Sequence, residues 1–212
     1  MRKIAHFIQT AILSGLLIIT AVQNVHASEG LEPMRSRHLS IGGGNFNPSD
    51  GESGTAFLGQ FLHKNGNTRF GGEIEYRDFE ATLFEVQKVE TQSFIIRGVG
   101  VYMFRPEGIS PYIGGGIGVA INIIDGDKIE QTLSQGNTTL VVVSDVGAGF
   151  GLVGLIGIEA PVSSDLIFFA EGRISGDFQL TQIEGLNTAG EEEIEIENLG
   201  GVTVLGGVRF RF

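Results

Sequence analysis

The sequence contains no cysteine and no tryptophan, and its 212 residues include only five prolines and three tyrosines. Without cysteine the chain has no disulfide, no thiolate metal site and no cysteine nucleophile. Basic residues are also scarce, because 14 Lys and Arg stand against 25 Asp and Glu, which gives a net charge of −11. Nucleic-acid binding relies on clustered Lys and Arg, so this composition argues against a nucleic-acid partner.

Long apolar runs are missing too, except for one at the start of the sequence, from about Ala11 to Val22. Two basic residues precede this run, and Val25-His26-Ala27 follows it. A basic start, a short apolar region and a small residue at the cleavage point are typical of a secretory signal peptide. The alternative is a membrane anchor, for which the run is too short to span comfortably. We predict that residues 1–27 are a cleaved signal peptide and that residues 28–212 form one exported domain.

The sequence is rich in glycine and phenylalanine, and apolar residues alternate with other residues along it. It holds 33 Gly and 15 Phe, and apolar residues recur at every second position over most of its length. A membrane β-barrel places its apolar residues in this way, on the outward face of each strand. The alternation predicts eight strands, at about 37–46, 54–63, 68–79, 90–105, 111–124, 141–160, 165–182 and from about 192 to 212.

The predicted connections alternate between short and long. Three short ones lie at residues 64–67, 105–110 and 161–164, and the first of these contains Asn65-Gly66, a pair that favours a tight turn. The longer and more acidic connections lie at residues 47–53, 80–89, 125–140 and 183–191. Short turns at one end and longer loops at the other match the periplasmic and extracellular ends of an outer-membrane barrel.

Charged residues occupy one face of the predicted strands and apolar residues the other. An eight-stranded barrel is just wide enough to be filled by side chains, so the charged face is expected to point inward. A lone buried ion costs several kcal/mol, and we therefore expect paired charges and a plugged interior. Arg105 and Arg211 are expected in water at the rims. The predicted interior charges are Glu73, Glu75, Arg77, Arg97, Asp145, Glu159, Glu171, Arg173 and Arg209.

The aromatic residues of the apolar face fall near the two ends of the strands, which predicts two girdles at the membrane interfaces. Because tryptophan is absent and tyrosine is rare, these girdles are expected to be mostly phenylalanine. The predicted members are Phe61, Tyr102, Phe104, Phe168, Phe210 and Phe212 at the short-turn end, and Phe57, Tyr76, Phe94 and Phe178 at the other end.

Three features carry a likeness to a known group of proteins. They are the signal peptide followed by eight alternating strands, the stretch from Pro111 to Val119, and the closing residues Val208, Phe210 and Phe212. Together they resemble the small outer-membrane barrels of the OmpA transmembrane domain, OmpX and opacity type. The resemblance implies an all-β, eight-stranded antiparallel transmembrane barrel in the outer membrane of a Gram-negative bacterium.

The same resemblance implies partners. Val208, Phe210 and Phe212 are similar to the signal that the barrel-assembly machinery reads, and this machinery and periplasmic chaperones are the expected partners during biogenesis. The mature protein is expected to contact the outer-membrane bilayer and lipopolysaccharide. An extracellular partner is not identified by the sequence.

The sequence leaves the activity open between three hypotheses. The first is a structural or surface-interaction protein of adhesion-like character, and the second is a narrow pore or carrier for small or apolar solutes. The third, a lipid-modifying enzyme, depends on His38-Leu39-Ser40, which is similar to the His-x-Ser of lipid A deacylases but lies in the first strand instead of the later part of the chain. We predict no enzyme, no cofactor and no metal site. The acidic run from Glu191 to Glu197 either binds divalent cations or extends the last strand above the membrane.

Overall fold

The computed structural model describes residues 37–83, 87–105, 108–124, 139–142, 146–186 and 193–212. The predicted signal peptide and Asp145 lie outside these residues. Within them, no helix is long and apolar enough to cross a membrane. The strands are β1 (Arg37–Pro48), β2 (Gly51–Asn65), β3 (Thr68–Leu83), β4 (Gln87–Met103), β5 (Ser110–Ile124), β6 (Thr139–Val142), β7 (Val146–Pro161), β8 (Leu166–Leu186), β9 (Glu193–Asn198) and β10 (Gly201–Arg211).

These strands close into a barrel. Each neighbouring pair is antiparallel, and β1 pairs with β2 on one edge and with β10 on the other, so the sheet has no free edge there. Strands β6 and β7 both pair with one edge of β8, whereas β9 and β10 pair with its other edge. The ten strands therefore fill eight positions in the wall. The prediction of an eight-stranded antiparallel barrel is confirmed.

The connections divide the barrel into two ends. Strands β2, β4 and β7 finish at the turn end, with Asn65, Met103 and Pro161, and strands β5 and β8 finish at the loop end, with Ile124 and Leu186. Gly66 has a φ of 59°, the left-handed conformation that a two-residue hairpin turn requires. At the loop end only Ser49 and Asp50 separate β1 from β2.

The strands also run further toward the loop end than the alternation predicted. Gly51 pairs with Ala81, and Thr82 pairs with Lys88, so most of the predicted loops 47–53 and 80–89 is hydrogen-bonded sheet. The hydrophobic pattern marks the apolar belt, while backbone pairing continues beyond it into polar sequence. Sequence alternation therefore underestimates strand length at this end.

Large apolar side chains cover the outside of the barrel. Their outward positions alternate with buried ones on every strand, as the period of two requires. Phe94 and Tyr102 face outward on β4 eight positions apart, which is about 27 Å along the strand and about 21 Å along the axis of a barrel with strands tilted by about 40°. This height is close to the apolar band of about 25 Å that outer-membrane barrels present to lipid.

Aromatic side chains mark both edges of this band. At the loop end the Tyr76 ring lies 6.4 Å from Phe57 and 4.9 Å from Phe94, centroid to centroid. At the turn end Phe61 lies 6.3 Å from Phe212, and Tyr102 lies 5.6 Å from Phe104. The exterior thus combines an apolar belt with aromatic rows of the predicted composition.

The inside of the barrel contains apolar clusters as well as charges. A loop-end cluster fills the lumen where strands β1 to β5 approach that end, and it consists of Phe46, Ala56, Phe79, Ala81, Val89, Ile124 and Leu199. A second cluster lies on β2, β4, β5 and β7 and consists of Leu62, Val99, Val101, Met103, Tyr112, Val153 and Leu155. Leu58, Phe169 and Leu205 form a third. Charged side chains occupy the space that these clusters leave.

Candidate functional site: the charged barrel interior

Among the described residues, ten buried arginine, aspartate and glutamate side chains project into the lumen, and none of these residues is more than 5% exposed. Five are guanidinium groups and five are carboxylates, so their formal charges balance. The cations are Arg69, Arg77, Arg97, Arg173 and Arg209, and the anions are Glu73, Glu75, Glu159, Glu171 and Asp177. Desolvation makes each of these charges expensive unless it has a well-placed partner. Their hydrogen bonds show how this requirement is met.

Glu73 and Glu75 form the centre of the network. They are two positions apart on β3, so both point inward. Arg173 reaches them from β8 and binds both oxygens of Glu73, with two nitrogen–oxygen distances of 2.9 Å. Gln60 donates a further hydrogen bond of 3.2 Å to Glu73. The two-pronged contact between guanidinium and carboxylate fixes geometry as well as charge.

Asp177 joins the remaining two central arginines. Arg97 donates to Asp177 at 3.0 Å and to Glu75 at 2.5 Å. Arg77 donates to the other oxygen of Asp177 at 2.5 Å and to Glu75 at 2.7 Å. The Arg77 guanidinium also lies 4.2 Å from the centroid of the Phe46 ring, a cation–π contact with the loop-end cluster. Charges from strands β3, β4 and β8 are thereby tied together across the lumen.

A second group of charges lies closer to the turn end. Arg69 on β3 binds both oxygens of Glu159 on β7, each at 2.6 Å. Arg209 on β10 binds Glu159 as well, at 2.6 Å, and also contacts Ser40 at 2.8 Å and Gln60 at 3.1 Å. One carboxylate therefore serves two guanidinium groups and joins three strands.

Glu171 extends the central group toward the second one through Tyr112, whose ring centroid lies 5.7 Å from the Arg209 guanidinium. Its carboxylate accepts hydrogen bonds from the Tyr112 hydroxyl at 2.8 Å and from Arg173. The Tyr112 ring lies against Gly157 on the neighbouring strand β7, where a β-carbon would come within 2.3 Å of the ring. A side chain at position 157 would occupy the space that the tyrosine needs, so this glycine permits the ring to cross the lumen.

The structure buries eight of the nine interior charges that the sequence predicted, and Asp145 lies outside the described residues. Sequence reasoning omitted Arg69 and Asp177 from that set. Both lie on the inward face of a predicted strand, in register with residues already chosen. Extending the alternation by four positions on each of β3 and β8 would have found them. Arg105 is exposed and Arg211 is half-buried, close to the turn end.

His38 and Ser40 both point into the lumen and are fully buried. Ser40 accepts a hydrogen bond from Arg209 and donates a long one of 3.5 Å to Gln60, so its hydroxyl belongs to the charge network. The other histidine of the described residues, His63, lies on the outer face with its ring 5.5 Å from Phe70. Val208, Phe210 and Phe212 also face outward, with Phe210 42% and Phe212 54% exposed.

Comparison with known proteins shows the fold. No protein-family model matches the chain, and the search of curated proteins finds no match. Among solved structures, Neisserial surface protein A is 14% identical, with a TM-score of 0.56 over 83% of this chain and 97% of that one. The attachment invasion locus protein Ail of Yersinia pestis is 12% identical, with a TM-score of 0.44 over 84% and 97%. Outer membrane protein W of E. coli is 15% identical, also with a TM-score of 0.44, over 84% and 97%.

At these identities the likeness concerns architecture. The chain has the fold of the small eight-stranded outer-membrane β-barrels, and the resemblance expected from its sequence is confirmed at that level.

Proposed function

We propose that the protein is an outer-membrane barrel with a closed interior and a structural or surface-interaction role. In this proposal residues 1–27 are removed during export and residues 28–212 span the bilayer once folded. The apolar belt and its aromatic edges support the location, because a soluble protein would not leave so many large apolar side chains in water. Ile117, Ile156 and Ile174, for example, are 64%, 65% and 71% exposed.

The proposal that the interior is closed rests on one observation, namely that side chains fill the lumen. The central charges are bonded to one another across the barrel, and the loop-end apolar cluster lies over them. An ion entering from the loop end would lose its hydration against that cluster before it reached a charge. A narrow pore or carrier, the second hypothesis, requires a continuous polar path through the lumen. Among the described residues, the apolar loop-end cluster interrupts such a path.

The loop end offers the contact surface in this proposal. Asp50, Glu52, Asp78 and Glu90 are exposed there, and Lys88 is the nearby cation, bonded to Glu52. An exposed and largely acidic surface at the extracellular end would recognise partners through charge complementarity. Its partner, and any contact with lipopolysaccharide, belong to the same proposal.

The outward side chains of Val208, Phe210 and Phe212 are proposed as the signal for the barrel-assembly machinery. They lie on or directly after β10, which closes the barrel against β1, and Phe212 exchanges two backbone hydrogen bonds with Arg37. After chaperones deliver the chain, the assembly machinery would recognise β10 at the step in which β10 pairs with β1 and closes the barrel. Replacing Phe212 with Ala should lower the folded fraction in the outer membrane more than replacing exposed Ile109 in a turn.

We also propose that the protein is not an enzyme. A lipid-modifying serine and histidine would have to meet a substrate on the lipid side, whereas His38 and Ser40 are buried in the lumen. The test is mass spectrometry of lipid A from cells with and without the protein. A modified lipid A that disappears in a Ser40→Ala variant would establish the enzyme instead.

Planar-bilayer conductance is the experiment that tests the closed interior. The purified protein should give no steady current above that of the empty membrane, while a porin reconstituted in parallel should conduct. A reproducible open level that depends on protein concentration would contradict the proposal. Heat-modifiable gel migration of the outer-membrane fraction tests the location independently, since a protein without that shift would not be a membrane barrel.

A further inference from the structure

A buried histidine lies among cations at the turn end of the barrel. His38 is fully buried on the inner face of β1, where it pairs across the seam with Arg211 of β10. Arg209 lies two positions before Arg211 on the same inward face of β10, and Lys64 of β2 pairs with Arg69 of β3 at the same end of the barrel. Strands β1, β2, β3 and β10 therefore bring four cationic side chains to one histidine, and we call these five residues the turn-end basic cluster.

Carboxylates are in short supply around this cluster. Arg69 and Arg209 share the single carboxylate of Glu159, at 2.6 Å each. In the central layer the balance is different, because three arginines meet four carboxylates there. The other described acidic residue near this end is Asp165, which is exposed in the turn before β8. Buried cations need compensating negative charge, and the turn end supplies less of it than the centre does.

Two polar groups inside the cluster point to a missing partner. Among the described residues, neither ring nitrogen of His38 makes a hydrogen bond, and the Nε of Arg69 makes none either. Arg69 is 2% exposed. Buried polar groups in native proteins are nearly always paired, so an unpartnered group of this kind calls for a specific acceptor or donor. Because cations surround these atoms, the favourable partner is an acceptor with negative charge.

We propose that the turn-end basic cluster binds a phosphate-class oxyanion. A phosphate group is negatively charged at neutral pH, both as free phosphate and in a phosphodiester headgroup, and its several acceptor oxygens can accept from an imidazole N–H and a guanidinium N–H together. Hydrogen bonds between such charged groups are among the stronger ones in proteins. Arg211 and Lys64 are both half-buried, so the cluster reaches the surface at the turn end.

Two sources can supply this chemistry, namely inorganic phosphate and the phosphate of a phospholipid headgroup. The site is independent of the surface role proposed above, because it lies at the opposite end of the barrel from the acidic contact surface. Its failure would leave the closed-barrel proposal untouched, and a conducting barrel would leave the site in place.

Histidine NMR of the full chain in detergent micelles tests the site directly. With ¹⁵N-labelled histidine, the His38 signals are identified by their loss in a His38→Gln variant, and His63 on the outer wall is the internal control. Added inorganic phosphate, or a short-chain phosphatidylglycerol in the second arm, should shift the His38 signals saturably and leave His63 unchanged. The arm that saturates at lower concentration identifies the source.

Charge variants sharpen the test. Arg211→Gln should raise the dissociation constant about tenfold, the effect of losing one charge-assisted contact. Lys88→Gln removes a cation of the same sign at the loop end and should leave the constant unchanged. The proposal is overturned if neither phosphate source shifts His38, if chloride at equal ionic strength gives the same response, or if both variants weaken binding equally.

Discussion

Replacing Arg173 with methionine removes the guanidinium that crosses the lumen from β8 to β3. In the wild-type protein this group makes two 2.9 Å bonds to Glu73 and a further bond to Glu171. Methionine keeps much of the side-chain length and none of the charge. The variant therefore tests the ion pairs of the lumen with little change in the volume that fills it.

The expected cost follows from what remains around Glu73. Its carboxylate keeps the 3.2 Å bond from Gln60 and a long 3.4 Å contact with Arg97. Removing one partner of a buried pair typically costs about 3–5 kcal/mol, because the other charge is left without compensation. Glu73 retains these weaker donors, but Glu171 loses its arginine and keeps the hydrogen bond from Tyr112, so we expect the middle of that range, about 4 kcal/mol.

A double-mutant cycle isolates the pair. Glu73→Gln removes the stranded charge, so combining it with Arg173→Met should cost about 2 kcal/mol less than the sum of the single changes. Lys88→Met is the matched surface control, because Lys88 and its partner Glu52 have side chains that are 55% and 64% exposed. That variant should unfold at the wild-type urea concentration.

Urea unfolding in lipid vesicles, followed by the heat-modifiable gel band, provides the free energies. Tryptophan fluorescence cannot be used because the chain has no tryptophan. A loss below about 1 kcal/mol for Arg173→Met, or strictly additive changes in the cycle, would refute the reasoning. Either result would mean that water compensates these charges and that the lumen is hydrated.

Two further changes test single contacts. Gly157→Ala places a β-carbon 2.3 Å from the Tyr112 ring, so it should lower the free energy of unfolding by about 1–3 kcal/mol in the same urea assay. The control is Gly154→Ala, whose β-carbon would have no atom within 4 Å and should leave stability unchanged. Equal effects of the two substitutions would show that the Tyr112 ring is not confined. The hydrogen bond and charge of Lys88 hold the pKa of Glu52 below its usual value. Because both side chains are exposed, the linked contribution to stability, which is present above the unfolded pKa and lost as pH falls through the folded pKa, is too small to move the urea midpoint. Carbon NMR titration should show the Glu52 pKa returning to the ordinary range in Lys88→Met, and an unchanged pKa would contradict the contact.

The sequence predicted the faces of the strands well because a period of two is a local property. Glu73, Glu75 and Arg77 could be assigned to one face without knowledge of any other strand. A closed barrel was expected from the eight alternating strands, from the alternation of short and long connections, and from the charged face opposite the apolar one. The barrel architecture could therefore be predicted from the alternation of the sequence alone.

The pairing of charged side chains inside the lumen could not be predicted from the sequence in this way. Arg69 meets Glu159 across 90 positions of sequence, and Arg173 meets Glu73 across 100. Which inward side chains meet depends on the tilt and stagger of the strands, which a period of two does not specify. The same reason explains why the surroundings of His38 could not be foreseen, since its cationic neighbours come from strands distant in sequence.

The order of layers along the lumen bears on permeability. The loop-end cluster contains no charged side chain, and the Phe46 and Phe79 rings within it meet edge to face, 4.8 Å between centroids. Below it, Arg77 is held by two carboxylates and covered by the Phe46 ring. Opening a path for ions would require exposing apolar rings to water and breaking several buried ion pairs at the same time. Each of these changes costs free energy separately, and a pore-forming movement would have to supply both. A polar substitution at Phe46 alone should therefore leave the membrane without steady conductance, because the ionic layer still closes the lumen beneath it.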